Sequence, residues 1–260
     1  MIYDILNSQK YTAKAGHVME RYAVEDILGE LSREEYTSSL GTIPYRLFIP
    51  EDGGCGKPVV LFMHGAGERG ADNELPLRTA LEAFVKSNEI VKNAIFIVPQ
   101  CPTDEQWVMT PWSKVSYSVD EIPESWEIKT VLEILEKVVS ENNADRDRIY
   151  VMGLSMGGYA TWDLIMRHGE LFAAAMPICG GADPTKADKV KDIPIRTFHG
   201  DIDDSVPVEG TRAMVEAIKA LGGNIEYTEY PGLGHGIWDK ACSSEGIGDW
   251  MFSKRLSDRK

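Results

Sequence analysis

The sequence predicts an α/β fold, a mostly parallel twisted sheet with helices on both faces and an antiparallel N-terminal edge. Short runs that are apolar throughout alternate with segments of helical periodicity, as expected when both faces of each strand are covered. The 260 residues are 43% hydrophobic and 26% charged, so the chain can bury a large core. Before residue 51 the pattern differs, because apolar and polar residues alternate on either side of Gly41.

The elements are expected in the following order. Two antiparallel strands lie between 34 and 50, whereas 1–30 leaves a short helix and an edge strand both open. Six buried strands then fall on the runs VVLFMH, AIFIVP, RIYVMG, AAAMPI, PIRTFH and IEYTEY. Helices are expected over 79–88, 127–142, 156–169, 207–221 and 246–256. This order predicts a single domain over 1–260, with its active cleft at the carboxyl ends of the parallel strands.

The charge balance excludes several classes of partner. The 41 Asp and Glu against 27 Lys and Arg give a formal net charge of −14. Such a surface repels phosphate, so no nucleic-acid partner and no membrane partner is expected. The N-terminus carries Asp4 and has no apolar h-region, so the cytoplasm is the expected location, or the cell exterior if a signal has been removed.

The cysteines predict neither zinc nor disulfides. Their spacing contains no CxxC pair and no nearby histidine, so we expect free and mostly buried thiols. They are Cys55, Cys101, Cys179 and Cys242.

The candidate nucleophile is Ser155, in the motif Gly153-Leu-Ser-Met-Gly157. A strand that turns at once into a helix holds its middle residue in a strained conformation and projects the hydroxyl out of the sheet. Side chains two residues before and after would collide, so both positions favour Gly. A glycine-rich turn with the serine as a helix cap is the alternative.

The candidate base is His235. A serine needs an imidazole to take its proton, and the imidazole needs an acceptor on its other nitrogen. His199 ends a predicted strand, where a hydrogen-bonded core histidine is expected, whereas His235 lies in the loop PGLGHG after the last strand. The acid is expected on the loop after the His199 strand. The residues there leave three possibilities, Asp201, Asp203 and Asp204.

The oxyanion hole is expected from the small residues in His64-Gly-Ala-Gly-Glu-Arg-Gly70, whose backbone approaches a ligand closely. One N–H donor is assigned to Met156, after the nucleophile, and the other to Ala66, with Gly67 as alternative. Glu68 and Arg69 are expected to pair with each other or with Asp72, holding the loop.

An aromatic stretch over 101–126 has no helical or strand period, and we predict an inserted loop over the active site. Trp107 and Trp112, with Trp238 just after His235, are expected to bind an aromatic group or a sugar face of the substrate. The alternative is that these tryptophans only pack the loop onto the body.

Five motifs over about 57–240 resemble the α/β-hydrolase superfamily: HGAGERG, VPQCP with QW, GLSMGGYATWD, HGDIDDSVPV and GLGHGIW. The nearest group is the predicted peptidases, polyhydroxybutyrate depolymerase-like enzymes and feruloyl esterases. The resemblance implies Asp203 as the catalytic acid, His235 as the base and Ser155 as the nucleophile.

The resemblance further implies a serine carboxylic-ester hydrolase that forms an acyl-enzyme and needs no metal or organic cofactor. Its substrates are expected to be small-molecule or carbohydrate-linked esters, such as feruloyl or acetyl esters. A serine peptidase of the prolyl-oligopeptidase-like type is the nearest alternative, and a non-catalytic binding protein on a hydrolase scaffold is another. The oligomeric state is not predicted.

Overall fold

Eight strands form one sheet within residues 28–259, the part of the chain that the computed structural model describes. The expectation for 1–30 falls outside that part except for its last three residues. Each strand lies where an apolar or alternating run predicts it. The strands are β1 (Ser32–Thr37), β2 (Thr42–Phe48), β3 (Val59–Met63), β4 (Ile95–Pro99), β5 (Ile149–Leu154), β6 (Ala174–Ile178), β7 (Ile195–Gly200) and β8 (Ile225–Tyr230).

The sheet order is β1-β2-β4-β3-β5-β6-β7-β8. Strand β2 runs antiparallel to both neighbours, and the pairs from β4 to β8 are parallel. The predicted fold class is therefore confirmed, including its antiparallel N-terminal edge. Because β5, β7 and β8 run in the same direction, their carboxyl ends lie along one edge of the sheet.

Seven helices lie wholly within the described residues, and residues 28–30 are helical as well. Five match the predicted segments to within a few residues, whereas α4 and α6 were not predicted because they span barely one turn. The helices are α1 (Ala80–Ser87), α2 (Trp126–Glu141), α3 (Met156–His168), α4 (Ala187–Val190), α5 (Val208–Ala220), α6 (Trp238–Cys242) and α7 (Ile247–Phe252).

The central strands are buried on both faces. Along β3, Val59, Leu61 and Met63 pack into one apolar cluster, and Val60 and Phe62 pack into the other. The first cluster includes side chains of α2, α3, α4 and α5, and the second includes those of α1, α6 and α7. This double cover explains why the strands read as unbroken apolar runs.

The long connection between β4 and α2 packs onto the body of the protein. The Tyr117 hydroxyl donates to Asp163 Oδ1 at 3.1 Å, and the Val119 amide donates to Asp183 Oδ2 at 2.9 Å. Trp107, Tyr117 and Val119 belong to the first apolar cluster. No helix within residues 28–259 is long and apolar enough to cross a membrane.

Candidate active site

Ser155 stands at the sharp turn between β5 and α3. Its φ of 53° and ψ of −119° lie outside the regions that side-chain-bearing residues favour. The turn is held because the Ser155 amide donates to Ile178 O on the neighbouring strand at 2.9 Å. A methyl group on Gly153 would meet Gly157 O at 2.5 Å, and one on Gly157 would collide with Met63 O. The steric reason for both glycines is therefore present in the structure.

Ser155, His235 and Asp203 form a continuous hydrogen-bonded chain. His235 Nε2 lies 2.8 Å from Ser155 Oγ, and His235 Nδ1 lies 2.7 Å from Asp203 Oδ2. The ring of His235 is 19% exposed, whereas the Asp203 carboxylate has no exposure. Because a carboxylate only accepts, Nδ1 carries the proton and Nε2 turns its lone pair toward the hydroxyl.

The Asp203 carboxylate receives four donors. Oδ1 accepts from the amides of Ser205 and Val206, both at 2.9 Å. Oδ2 lies 2.7 Å from His235 Nδ1 and 3.1 Å from His199 Nε2. Burial alone would raise the pKa of Asp203, but these hydrogen bonds outweigh it and hold the pKa well below its usual range. The acid therefore stays ionised beside the imidazole.

The two other candidate acids point elsewhere. Asp201 Oδ1 accepts from the Gly232 amide at 2.6 Å and so ties the two loops together. Asp204 is exposed and accepts only from the adjacent Ser205 hydroxyl, at 3.2 Å. Neither Asp204 nor Ser205 caps α5, because Pro207 occupies the cap position without a side-chain hydrogen bond.

The two residues assigned to the oxyanion hole lie at the start of helical turns. Met156 is the first residue of α3, and Ala66 opens a short 3₁₀ turn, Ala66–Glu68. Amides in a first helical turn have no partner within the helix, so they are available to an anion. Arg69 holds the 3₁₀ turn by donating to Ala66 O at 3.0 Å and to Glu105 O at 3.1 Å. The expected pairing of Arg69 with Glu68 or Asp72 is wrong.

Trp107 does not line a pocket, and the prediction that it binds substrate is wrong. Its side chain has 0% exposure, and its Nε1 donates to His64 O at 3.1 Å. Its ring also meets the His64 ring edge-on, with centroids 5.2 Å apart. In a loop without helical or strand periodicity, the sequence alone does not show which aromatic side chains point into the core. Trp107 supports the loop that begins at His64.

Trp112 and Trp238 remain half-buried. The Arg69 guanidinium lies 5.8 Å from the Trp112 ring centroid, so this ring stands beside the 3₁₀ turn. The Trp238 ring meets His235 edge-on at 5.3 Å. Both rings therefore have exposed surface near groups of the candidate site.

The family model for phospholipases and carboxylesterases matches residues 47–244. The chain belongs to this family. Carboxylesterase SOBER1 of Arabidopsis thaliana is 28% identical over 199 residues, which are 70% of this chain and 84% of that protein. Together with the esterase fold, this makes the chain a serine hydrolase of the carboxylesterase type.

Two solved structures show the same architecture. A thermostable esterase matches with a TM-score of 0.79 at 36% identity, over 88% of this chain and 64% of that chain. The carboxylesterase-family chain therefore spans just under two thirds of that esterase. A ferulic acid esterase matches with a TM-score of 0.64 at 15% identity, over 86% and 98% of the two chains. At that identity the likeness shows the fold alone.

Within residues 28–259, one group of side chains has the spacing of potential metal ligands. Atoms of Cys179, Asp203 and His235 lie within 4.8 Å of one another. The two latter residues already bond each other, and burial raises the pKa of the Cys179 thiol, which disfavours a thiolate ligand. Hydrogen bonding accounts for this group. All four cysteines are free, and all but Cys55 are buried, as predicted.

Sequence reasoning missed the structural role of His64 and one contact of His199. Buried His64 holds the start of the loop, because its Nδ1 donates to Gly65 O at 2.6 Å and its Nε2 accepts from the Cys101 amide at 2.9 Å. Burial lowers the pKa of His64 to about 4, so the ring stays neutral. His199 is a hydrogen-bonded core histidine, as expected, but its contact with Asp203 was not predicted. The spacing of four residues across a strand end was the available signal.

Proposed function

We propose that the chain hydrolyses carboxylic esters through an acyl-enzyme on Ser155, with His235 as general base and acid and Asp203 as the residue that orients it. The observation that carries the proposal is the hydrogen-bonded chain from Ser155 Oγ through the imidazole to a fully buried carboxylate. Membership of the carboxylesterase family supports the same chemistry.

The reaction proceeds in two halves. His235 Nε2 takes the Ser155 proton as Oγ bonds to the ester carbonyl carbon, and the amides of Ala66 and Met156 stabilise the oxyanion. The intermediate collapses, and the leaving alcohol departs with the proton from Nε2. Water then attacks the acyl group while His235 takes its proton, and the acid leaves as Oγ regains that proton.

For the substrate, we propose aryl or acylated-carbohydrate esters, feruloyl or acetyl groups among them. Trp112 beside the 3₁₀ turn and Trp238 beside His235 offer flat apolar faces. Ile202, next to Asp203, adds an apolar side chain that is 63% exposed. Such surfaces suit an aromatic acyl group or a sugar face better than a charged one.

The experiment compares kcat/KM on methyl ferulate, p-nitrophenyl acetate and a peptide anilide. We expect both esters to be turned over and the anilide to be a poor substrate. Trp112→Ala and Trp238→Ala are expected to lower kcat/KM for ferulate about tenfold, more than for acetate. Trp250→Ala is the control, since that ring stacks with Arg196 at 4.8 Å. Anilide turnover without ester preference would favour a peptidase, and equal losses in all three variants would contradict the aromatic site.

A further inference from the structure

His199, at the end of β7, is fully buried and hydrogen-bonded through both ring nitrogens. Its Nδ1 lies 2.8 Å from Thr211 Oγ1 on α5, and that oxygen also lies 3.1 Å from Gly180 O. Its Nε2 faces the loop that carries Asp203. The ring is therefore fixed between α5 and the candidate acid.

The Nε2 atom of His199 has only acceptors around it. Val206 O and Asp203 Oδ2 both lie 3.1 Å away. Neither a carbonyl oxygen nor an ionised carboxylate donates a hydrogen bond, so Nε2 must carry a proton. The Nε2 hydrogen is therefore shared between Val206 O and the same Asp203 oxygen that accepts from His235.

The two histidines and the two backbone amides together fix both oxygens of Asp203. The amides of Ser205 and Val206 hold Oδ1, while His235 and His199 share Oδ2. Without His199, Oδ2 keeps His235 as its one side-chain donor, and that ring gains and loses a proton at Nε2 during the proposed reaction. The carboxylate is then less firmly held at Oδ2, the oxygen that orients His235.

We propose that His199 is a positioning residue of the reaction, which acts through Asp203 and so sets both the orientation and the basicity of His235. The inference rests on the proposed function of Asp203 and His235. By donating to Oδ2, His199 fixes the carboxylate and also draws negative charge from it. His235 is then aligned with Ser155, and its basicity stays low enough for the imidazolium to return the proton to the leaving alcohol.

Other ionisable groups near His199 and Asp203 do not replace this contact. On β8, Glu229 lies opposite His199 but is paired with Arg212 of α5 at 2.7 Å. On the Asp203 side, burial raises the pKa values of the Cys179 thiol and the Tyr159 phenol, so both stay uncharged. Among residues 28–259, His199 is thus the side chain besides His235 whose polar hydrogen lies beside this carboxylate.

A pair of amide variants separates the Asp203 contact from general packing. His199→Gln brings an amide nitrogen to where Nε2 stands, whereas the shorter side chain of His199→Asn reaches only to where Nδ1 stands. We expect H199N to lower kcat at least about tenfold with KM nearly unchanged, because it loses a hydrogen bond to a charged group. The acidic limb of kcat/KM should move to higher pH in H199N, since a less satisfied carboxylate favours protonated His235. H199Q should restore both towards wild type.

The control is His168→Asn, whose shorter side chain removes a second histidine–carboxylate contact, that of His168 Nε2 with Glu124 at 2.6 Å. It should match wild type in kcat and in pH profile. Equal losses in H199N and H199Q, or no loss in either, would overturn the proposal. If H199N does not fold, Thr211→Val removes the other anchor of the ring, and a wild-type kcat and pH profile in that variant would overturn it. Failure of wild type to hydrolyse any ester would instead contradict the proposed function.

Discussion

Replacing Asp203 with Asn tests the hydrogen-bonded chain most sharply, because the new amide group cannot satisfy its surroundings in either orientation. With its nitrogen at the Oδ1 position, it would face the amides of Ser205 and Val206, two donors now at 2.9 Å. With its nitrogen at Oδ2, it faces His235 Nδ1 at 2.7 Å and His199 Nε2 at 3.1 Å. The second orientation keeps both backbone hydrogen bonds and is the one expected.

In that orientation His235 must accept at Nδ1, so its proton moves to Nε2. The base then presents a hydrogen to Ser155 Oγ, which lies 2.8 Å away, and cannot take the serine proton. The same change of tautomer in a Ser-His-Asp protease lowers kcat about 10⁴-fold, and we expect a loss of that order here.

The assay is kcat/KM for p-nitrophenyl acetate across the pH range in which wild type is active. Asp201→Asn is the matched control, because Asp201 accepts a single hydrogen bond, from the Gly232 amide, and Asn keeps that acceptor. We expect D201N to stay within about threefold of wild type, in keeping with its surface position. A D203N enzyme with kcat/KM within tenfold of wild type, or an equal loss in D201N, would show that the Asp203 carboxylate does not set the tautomer of His235.

Two further variants test the close packing at Gly157 and the burial of the Glu127 carboxylate. Gly157→Ala places a methyl group against Met63 O and should lower the free energy of unfolding by at least about 2 kcal/mol in a denaturant titration. Gly29→Ala is the control, because its methyl group meets nothing within 4 Å and lies in a helical stretch, so it should not lower that free energy. Burial raises the pKa of Glu127 from 4.5 to about 7, so its charged form costs stability above that pH and no stability below pH 4.5. Glu127→Gln should therefore raise the free energy of unfolding by about 2 kcal/mol at pH 8.5, a value already reduced for partial solvation of the carboxylate. At pH 4 the substitution should leave the free energy of unfolding unchanged. An equal gain from the exposed control Glu121→Gln, or a gain that does not depend on pH, would contradict this.

The architecture was predictable because strands covered on both faces consist of consecutive apolar residues. Runs such as Val59–Met63 have no polar positions, and the structure buries every residue of that strand. The short helices α4 and α6 were missed because one turn is too short to show a 3.6-residue period.

Side-chain direction in irregular segments was much harder to predict. Trp107 and Trp112 lie in the same loop and have the same chemistry, but one is buried and the other half-exposed. Side-chain direction at strand ends is equally hard to predict, since the sequence predicts His199 in the core without showing that its ring turns toward Asp203. Contacts of this kind depend on how neighbouring loops meet in space, and residue spacing along the chain does not carry that information.

Reaction with a fluorophosphonate probe, followed by mass mapping of the labelled peptide, tests directly whether Ser155 is the activated nucleophile. We expect stoichiometric labelling at Ser155 in wild type and no labelling in Ser155→Ala. Labelling of D203N should be at least about 100-fold slower, since the probe needs the activated hydroxyl. Labelling at another serine, or no labelling of folded wild-type protein, would contradict this role for Ser155.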